Sequence, residues 1–162
     1  MFGGGFVAPE HSCIEITEFA HEKTDPCARH VVDIAMAAND IVMHRDPGCG
    51  CCEKWAAQVR QQFGRAVKIV DDANRAAIHK SLGMPASLAS CHTAIIDGIA
   101  FEGHVPVTDM KRLLAAKTKG VRGLAVAGMP LGSPGMEAPG HPADHYNVIA
   151  FGSGKTSIFA RH

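Results

Sequence analysis

Residues 40–55 read DIVMHRDPGCGCCEKW, and the fold turns on how this stretch is parsed. Asp40-Ile41-Val42-Met43-His44 has the apolar run of a short buried strand. Pro47 and Gly48 break it. From Glu53 the spacing becomes helical, with Trp55, Val59 and Phe63 at i, i+4 and i+8 on one stripe. Three of the six cysteines, Cys49, Cys51 and Cys52, therefore fall where a strand hands over to a helix.

The same reading extends outward. Gly64 ends the first helix, and Ala66-Val67-Lys68-Ile69-Val70 is a second strand. Asp71 and Asp72 are N-cap candidates for a second helix. Its apolar face is Ala77, Ile78 and Leu82, Gly83 ends it, and Met84-Pro85 prevents continuation. Thr93–Ile96 reads as a strand, Asp97-Gly98 as a hairpin turn, and Ile99–His104 as the partner strand. A third helix is expected from Thr108, the N-cap, with Met110, Leu113 and Leu114 facing inward. The order β-α-β-α-β-β-α, with C-x-x-C at the start of the first helix, is that of a thioredoxin-like α/β fold with a mixed sheet. Beyond it lies GVRGLAVAGMPLGSPGMEAPGHPADH, read as one long Gly/Pro/Met-rich loop, a kind usually functional or disordered. Tyr146–Phe151 and Ser157–Phe159 suggest a final hairpin around Gly152–Gly154.

The chain has 162 residues, 46% of them hydrophobic, enough for one globular domain and a tail. Net charge is zero, which gives no reason to expect nucleic acid or an anionic membrane as partner. No run approaches the ~18–20 apolar residues of a membrane span. Residues 1–39 hold two basic and six acidic residues, whereas the remainder carries a net positive balance. Ala35-Met36-Ala37-Ala38 resembles a signal-peptidase site. But Asp33 interrupts the apolar stretch before it, and the leading segment is acidic where an export signal starts basic. Residues 1–39 are therefore expected to be a poorly ordered extension or an upstream start, Met36 and Met43 being alternatives. The domain is expected over residues 40–162. His11-x-Cys13 with Cys27-x-x-His30 has zinc-ligand spacing, on a segment without a folding pattern.

Six cysteines are too few and too clustered for a disulfide scaffold, which needs ~8–10%. Two chemistries suit Cys49, Cys51 and Cys52. As a redox pair, Cys49 and Cys52 bridge one helical turn. A Cys51–Cys52 bridge would be strained, because adjacent Cα atoms stand about 3.8 Å apart. As a metal site, three thiolates at a helix N-terminus repel one another until a cation joins them. Thiolate is the preferred ligand of Cu(I) and also serves Zn(II). Helix-end N–H groups lower thiol pKa and favour both chemistries. Cys91, just before the third strand, would in a thioredoxin-like fold lie beside the C-x-x-C and supply a fourth sulfur. His92 and His104 flank the same hairpin, and Met129 and Met136 sit in the long loop as further soft donors. Three functions follow: a Cu(I)-binding protein with a polynuclear thiolate cluster, a thiol–disulfide oxidoreductase with Cys49 as nucleophile and Cys52 as resolving thiol, and a structural zinc domain. Zinc ranks last, because the strand and helix signals describe a core able to form without metal.

Three motifs in order, PGCGCCEKW, SCHTAIIDGIAFEGHVPVTDMKRLL and GLAVAGMPLGSPGMEAPG, resemble the CopG-like copper-resistance proteins of bacteria, and the resemblance runs from about Asp40 to Phe159. It implies a thioredoxin-like fold, copper ligation by Cys49, Cys51, Cys52 and Cys91, a role in copper redox handling in the periplasm, and other copper-handling proteins as partners. Two departures stand out. Members commonly carry an export signal, which residues 1–39 do not resemble, so a cytoplasmic location is the alternative. Members also commonly have proline where Ala127 stands.

Overall fold

The computed structural model describes residues 40–162. The zinc-ligand spacing of His11, Cys13, Cys27 and His30, and the reading of residues 1–39 as an extension, lie outside the described residues.

The elements are β1 (Ile41–Arg45), α1 (Gly50–Phe63), β2 (Val67–Asp71), α2 (Ala76–Leu82), β3 (His92–Ile96), β4 (Ile99–Glu102), α3 (Val107–Ala116), β5 (Gly123–Ala125), β6 (Asn147–Gly152) and β7 (Lys155–Arg161). All seven strands form one mixed sheet in the order β2-β1-β3-β4-β5-β6-β7. β1 runs parallel to β2 and antiparallel to β3; β4 runs antiparallel to β3 and parallel to β5. Both β5–β6 and β6–β7 are antiparallel. Among the described residues no helix is long and apolar enough to cross a membrane.

Side-chain alternation assigns the two faces of the sheet. Ala94, Ile96, Phe101, Leu124, Val148 and Ala150 pack with Trp55, Val59, Met110 and Leu113 of α1 and α3. Ala100, Ala125 and Phe151 point the other way and pack with Met84 and Leu88, just after α2. In α1 the stripe is Cys52, Trp55, Ala56 and Val59, with Phe63 half-buried behind it. A cysteine thus occupies a core position of the helix that carries the C-x-x-C.

Several boundaries differ from the sequence reading, each for a physical reason. Asp71 does not cap α2. It closes β2, where its Oδ1 accepts a bond from Arg45 Nε at 2.7 Å. Asp72 is not the cap either. Its side chain accepts the Asn74 N–H at 2.9 Å in a local turn, and Arg75 occupies the N-cap position. Of α2's expected apolar face, Ala77 is exposed, while Ile78 and Leu82 are half-buried. Thr108 lies inside α3, because Pro106 takes the N-cap position and its carbonyl accepts from the Asp109 and Met110 N–H groups. β4 stops at Glu102, since Gly103 turns the chain with φ +68.

The largest difference is β5, which lies inside what the sequence presents as loop. Gly123 is there because neighbours leave no room for more. A Cβ would collide with the Ala100 carbonyl oxygen and stand 2.6 Å from Phe151 Cζ. A glycine that reads as a loop marker is here a close approach of two strands. Overpacking of this kind costs about 1–3 kcal/mol. Gly123→Ala is accordingly expected to lose about 2 kcal/mol in urea denaturation. A loss under about 0.5 kcal/mol would contradict the packing described.

Candidate metal centre

The turn between β1 and α1 sets the first three sulfurs. The Cys49 N–H bonds the Asp46 carbonyl at 3.2 Å, and Gly48 takes φ +72. Cys49 occupies the N-cap position of α1, and Cys51 and Cys52 lie in its first turn. Arg45, extended along β1, reaches over this turn. Its Nη1 donates to the Cys49 carbonyl at 3.0 Å and pairs with Glu53 Oε1 at 2.8 Å. The fourth sulfur arrives with β3. The Asp46 N–H donates to the Cys91 carbonyl at 3.0 Å, so the ends of the two segments are stitched together.

Cys49 and Cys52 are joined as a disulfide, while Cys51 and Cys91 are free thiols. Cys51 Sγ lies 3.4 Å from Cys49 Sγ, and Cys91 Sγ lies 3.5 Å from Cys52 Sγ. All four sulfurs fall within 4.8 Å of one another. Thiol exchange needs the attacking sulfur in line with the bond it breaks. With a disulfide of about 2 Å, an in-line Cys91 would stand about 5.5 Å from Cys49, and an in-line Cys51 about as far from Cys52. Both are closer than that, so they stand beside the bond. That crowding suits ligands that bridge ions better than thiols that relay a disulfide.

A second donor group shares Cys91. His92 Nδ1 lies 3.5 Å and His104 Nε2 3.2 Å from Cys91 Sγ, and all three residues are buried. The Pro134 carbonyl lies 2.8 Å from His104 Nδ1, and because a carbonyl only accepts, Nδ1 carries the proton. The Nε2 lone pair then faces the sulfur. His92 packs against Trp55 and His104, with ring centroids 4.5 and 5.1 Å away. Its Nε2 is buried with no hydrogen-bond partner. An orphaned buried polar atom costs about 1–3 kcal/mol, which fits a donor set shaped around something other than protein.

Burial dominates the electrostatics. It lowers the His92 pKa to about 3, with neighbouring His104 and Arg75 adding to the effect. Burial also lowers His104, against the opposing pull of the Pro134 carbonyl. Both rings are thus neutral at neutral pH and have lone pairs to give. Burial, with the charge of Cys51 adding to it and a bond from Ser90 opposing it, raises the Cys91 thiol to about 11. A cation among the sulfurs offsets the cost of ionising Cys91, because it gives the thiolate the counter-charge that solvent cannot, and it keeps the imidazoles neutral.

The long loop closes over this group. Gly135 packs on the first turn of α1, where an added Cβ would lie 2.8 Å from the Cys51 carbonyl oxygen and 2.9 Å from Trp55 N. Glu137 caps the Gly135 N–H at 3.0 Å and accepts a bond from Gln58 at 2.9 Å. Met136, half-buried, follows Gly135 directly, whereas Met129 is 54% exposed.

The structure therefore brings together Cys49, Cys51, Cys52, Cys91, His92 and His104, and Met136 is the chain neighbour of Gly135, which packs on the same turn. The sequence reading missed Gly135 and the polar residues Ser90, Arg75 and Glu102 that hold the Cys91 segment. Glu102 had a usable signal. A two-residue Asp97-Gly98 turn pairs Ile96 with Ile99 and, three steps on, Thr93 with Glu102. That register places an acid opposite a hydroxyl in an otherwise apolar hairpin.

Comparison with known proteins finds one family model and two solved structures. The family model described as "Protein of unknown function, DUF411" matches residues 88–136, which span Cys91, His92, His104 and the loop through Met136. No curated protein matches the chain. Two solved structures, "Copper resistance protein copG" in Form 1 and Form 2, are each 41% identical to it with a TM-score of 0.68. Each alignment covers 76% of this chain, and 96% and 97% of those chains respectively.

The seat of Gly135 makes one outcome testable. Gly135→Ala, with φ +86 and backbone in the way, is expected to lift the loop. Cys51 should then react with iodoacetamide several-fold faster than in the parent protein. An unchanged rate would show that the loop does not cover the site.

Proposed function

Because the chain belongs to the CopG-like family of copper-resistance proteins, we propose that it binds copper in metal resistance, holding Cu(I) in a polynuclear cluster on Cys49, Cys51, Cys52 and Cys91. The observation that carries this reading is the set of four sulfurs within 4.8 Å, more than a disulfide needs. Thiolate is the softest protein ligand and Cu(I) the soft ion it prefers. Sulfurs this close bridge several ions rather than wrap one. His92 and His104 supply neutral imidazole nitrogens beside Cys91, and Met136, next to the seated Gly135, is the thioether of the loop best placed to join them, whereas Met129 stays exposed.

Copper is here the cargo, and the Cys49–Cys52 disulfide accounts for how it is handled. Reducing that bond takes two electrons and two protons and frees two thiols for the metal. Run the other way, two thiolates give one electron each to two Cu(II), yielding two Cu(I) and one disulfide. The reduced site can thus reduce two Cu(II) for each disulfide it forms, and a further round needs an external two-electron reductant to reopen the bond. The thioredoxin-like reading of the fold is supported by the order β2-β1-β3-β4, with β1 parallel to β2 and the C-x-x-C at the start of α1. A periplasmic setting, where copper-handling partners would deliver or receive the ions, follows from the family resemblance.

A second reading, thiol–disulfide oxidoreductase, is favoured by the Cys49–Cys52 bond itself. The two separate cleanly. After reduction under anaerobic conditions, the copper reading expects more than one Cu(I) per chain by metal analysis. It expects that count to fall on each of Cys49→Ser, Cys51→Ser, Cys52→Ser and Cys91→Ser. No bound Cu(I) would sink it. The oxidoreductase reading instead expects Cys51→Ser to be mild and Cys49→Ser to abolish disulfide reduction. Zinc as a structural ion ranks below both, because Trp55, Phe101, Met110 and Leu124 are fully buried in a core that needs no ion to form.

A further inference from the structure

Glu102 is buried completely, on the face of the sheet opposite the sulfurs. Its Oε1 accepts the Ser90 N–H at 2.7 Å, and its Oε2 accepts the Thr93 hydroxyl. His79 Nε2 lies 3.3 Å from Oε2 and 3.1 Å from Thr93 Oγ1, and it closes the carboxylate off from solvent. One carboxylate thus grips the residue before Cys91 and the second residue after it. Arg75 holds the other side of the same residue, with Nη2 donating to the Ser90 carbonyl at 2.6 Å and Nη1 paired with Asp46 at 2.6 Å. The Cys91 carbonyl accepts from the Asp46 N–H, and the His92 carbonyl from the Gly103 N–H at 2.8 Å.

A buried carboxylate is costly unless its bonds are made, and a hairpin needs no acid in its interior. Here the bonds converge on one short segment, Ser90–Thr93, whose only sulfur is Cys91. We propose that Glu102 is a positioning residue for Cys91. It acts through the Ser90 N–H and the Thr93 hydroxyl to fix the Cys91 sulfur 3.5 Å from that of Cys52. Among the described residues, none of the sulfurs or imidazoles proposed to hold copper shares its face of the sheet, so it acts through its bonds to Ser90 and Thr93 and not by touching copper. The inference rests on the copper reading only where the readout is a metal.

The test uses the full chain and two readouts. The first is metal-free: iodoacetamide labelling of Cys91 relative to Cys51 in the disulfide form, resolved by peptide mass. Glu102→Ala is expected to raise the Cys91 rate at least tenfold while changing Cys51 less than threefold. Glu102→Gln keeps a carbonyl for Ser90 and a donor for Thr93, and is expected to stay within threefold of the parent. The second readout is Cu(I) affinity in competition with a chromogenic chelator. Removing support behind a metal ligand costs about 10–100-fold, and that loss is expected for Glu102→Ala and not for Glu102→Gln. An unchanged Cys91 rate in folded Glu102→Ala overturns the proposal, as does Glu102→Gln behaving like Glu102→Ala. If Glu102→Ala does not fold, Glu102→Gln and Thr93→Val decide. Parent-like labelling in the first and several-fold faster labelling in the second support the clamp, and the reverse overturns it. A parent protein that binds no Cu(I) defeats the copper reading alone, because the labelling result stands without metal.

Discussion

Four sulfurs held within 4.8 Å, two of them buried and two half-buried, set the terms for the fold around them. Protein alone gains little from that arrangement. Ionised, the sulfurs repel; neutral, they make only weak hydrogen bonds, such as that between Cys91 Sγ and His92 Nδ1. Joining Cys49 to Cys52 relieves part of this, since a disulfide carries no charge. Positive ions among the thiolates would offset the repulsion. On the proposed copper reading the site has two forms, bridged by disulfide or by metal, which exclude each other at Cys49 and Cys52.

The surrounding fold keeps the sulfurs from relaxing apart. α1 cannot slide, because Cys52 and Trp55 are core residues and the Trp55 indole N–H bonds the Val105 carbonyl at 2.9 Å. The start of β3 cannot move either. Its backbone is held by Asp46, Arg75, Glu102 and Gly103 in consecutive bonds. From above, the loop is pinned at three points: the Ser90 hydroxyl donates to the Gly128 carbonyl, His104 to the Pro134 carbonyl, and Gly135 rests on α1. A ligand set this rigid pays its ordering entropy during folding, so that binding need not.

Much of this was legible in the sequence because it is local. The C-x-x-C after a short strand, the α1 stripe through Trp55 and Val59, the left-handed glycines Gly64 and Gly83, and the Asp97-Gly98 hairpin all follow from residues a few positions apart. Cys91 was found through topology, since the chain order brings the start of β3 beside α1. What escaped depends on partners far along the chain. Gly123 reads as loop until Ala100 and Phe151 are placed against it. Asp71 looks like a helix cap until Arg45 draws it into β2. Gly135 is one of many glycines in a Gly/Pro-rich run, and only the surface of α1 shows why it must lack a side chain. No local pattern distinguishes these roles.

The proposed copper site requires Cys49, Cys51, Cys52 and Cys91 to act together. The decisive measurement is copper-edge X-ray absorption of the reduced protein loaded with Cu(I) under anaerobic conditions. Scattering dominated by sulfur with a resolved copper–copper vector, the signature of ions sharing thiolates, is expected. Isolated copper in a shell of nitrogen and oxygen, with no metal–metal scattering, would contradict it.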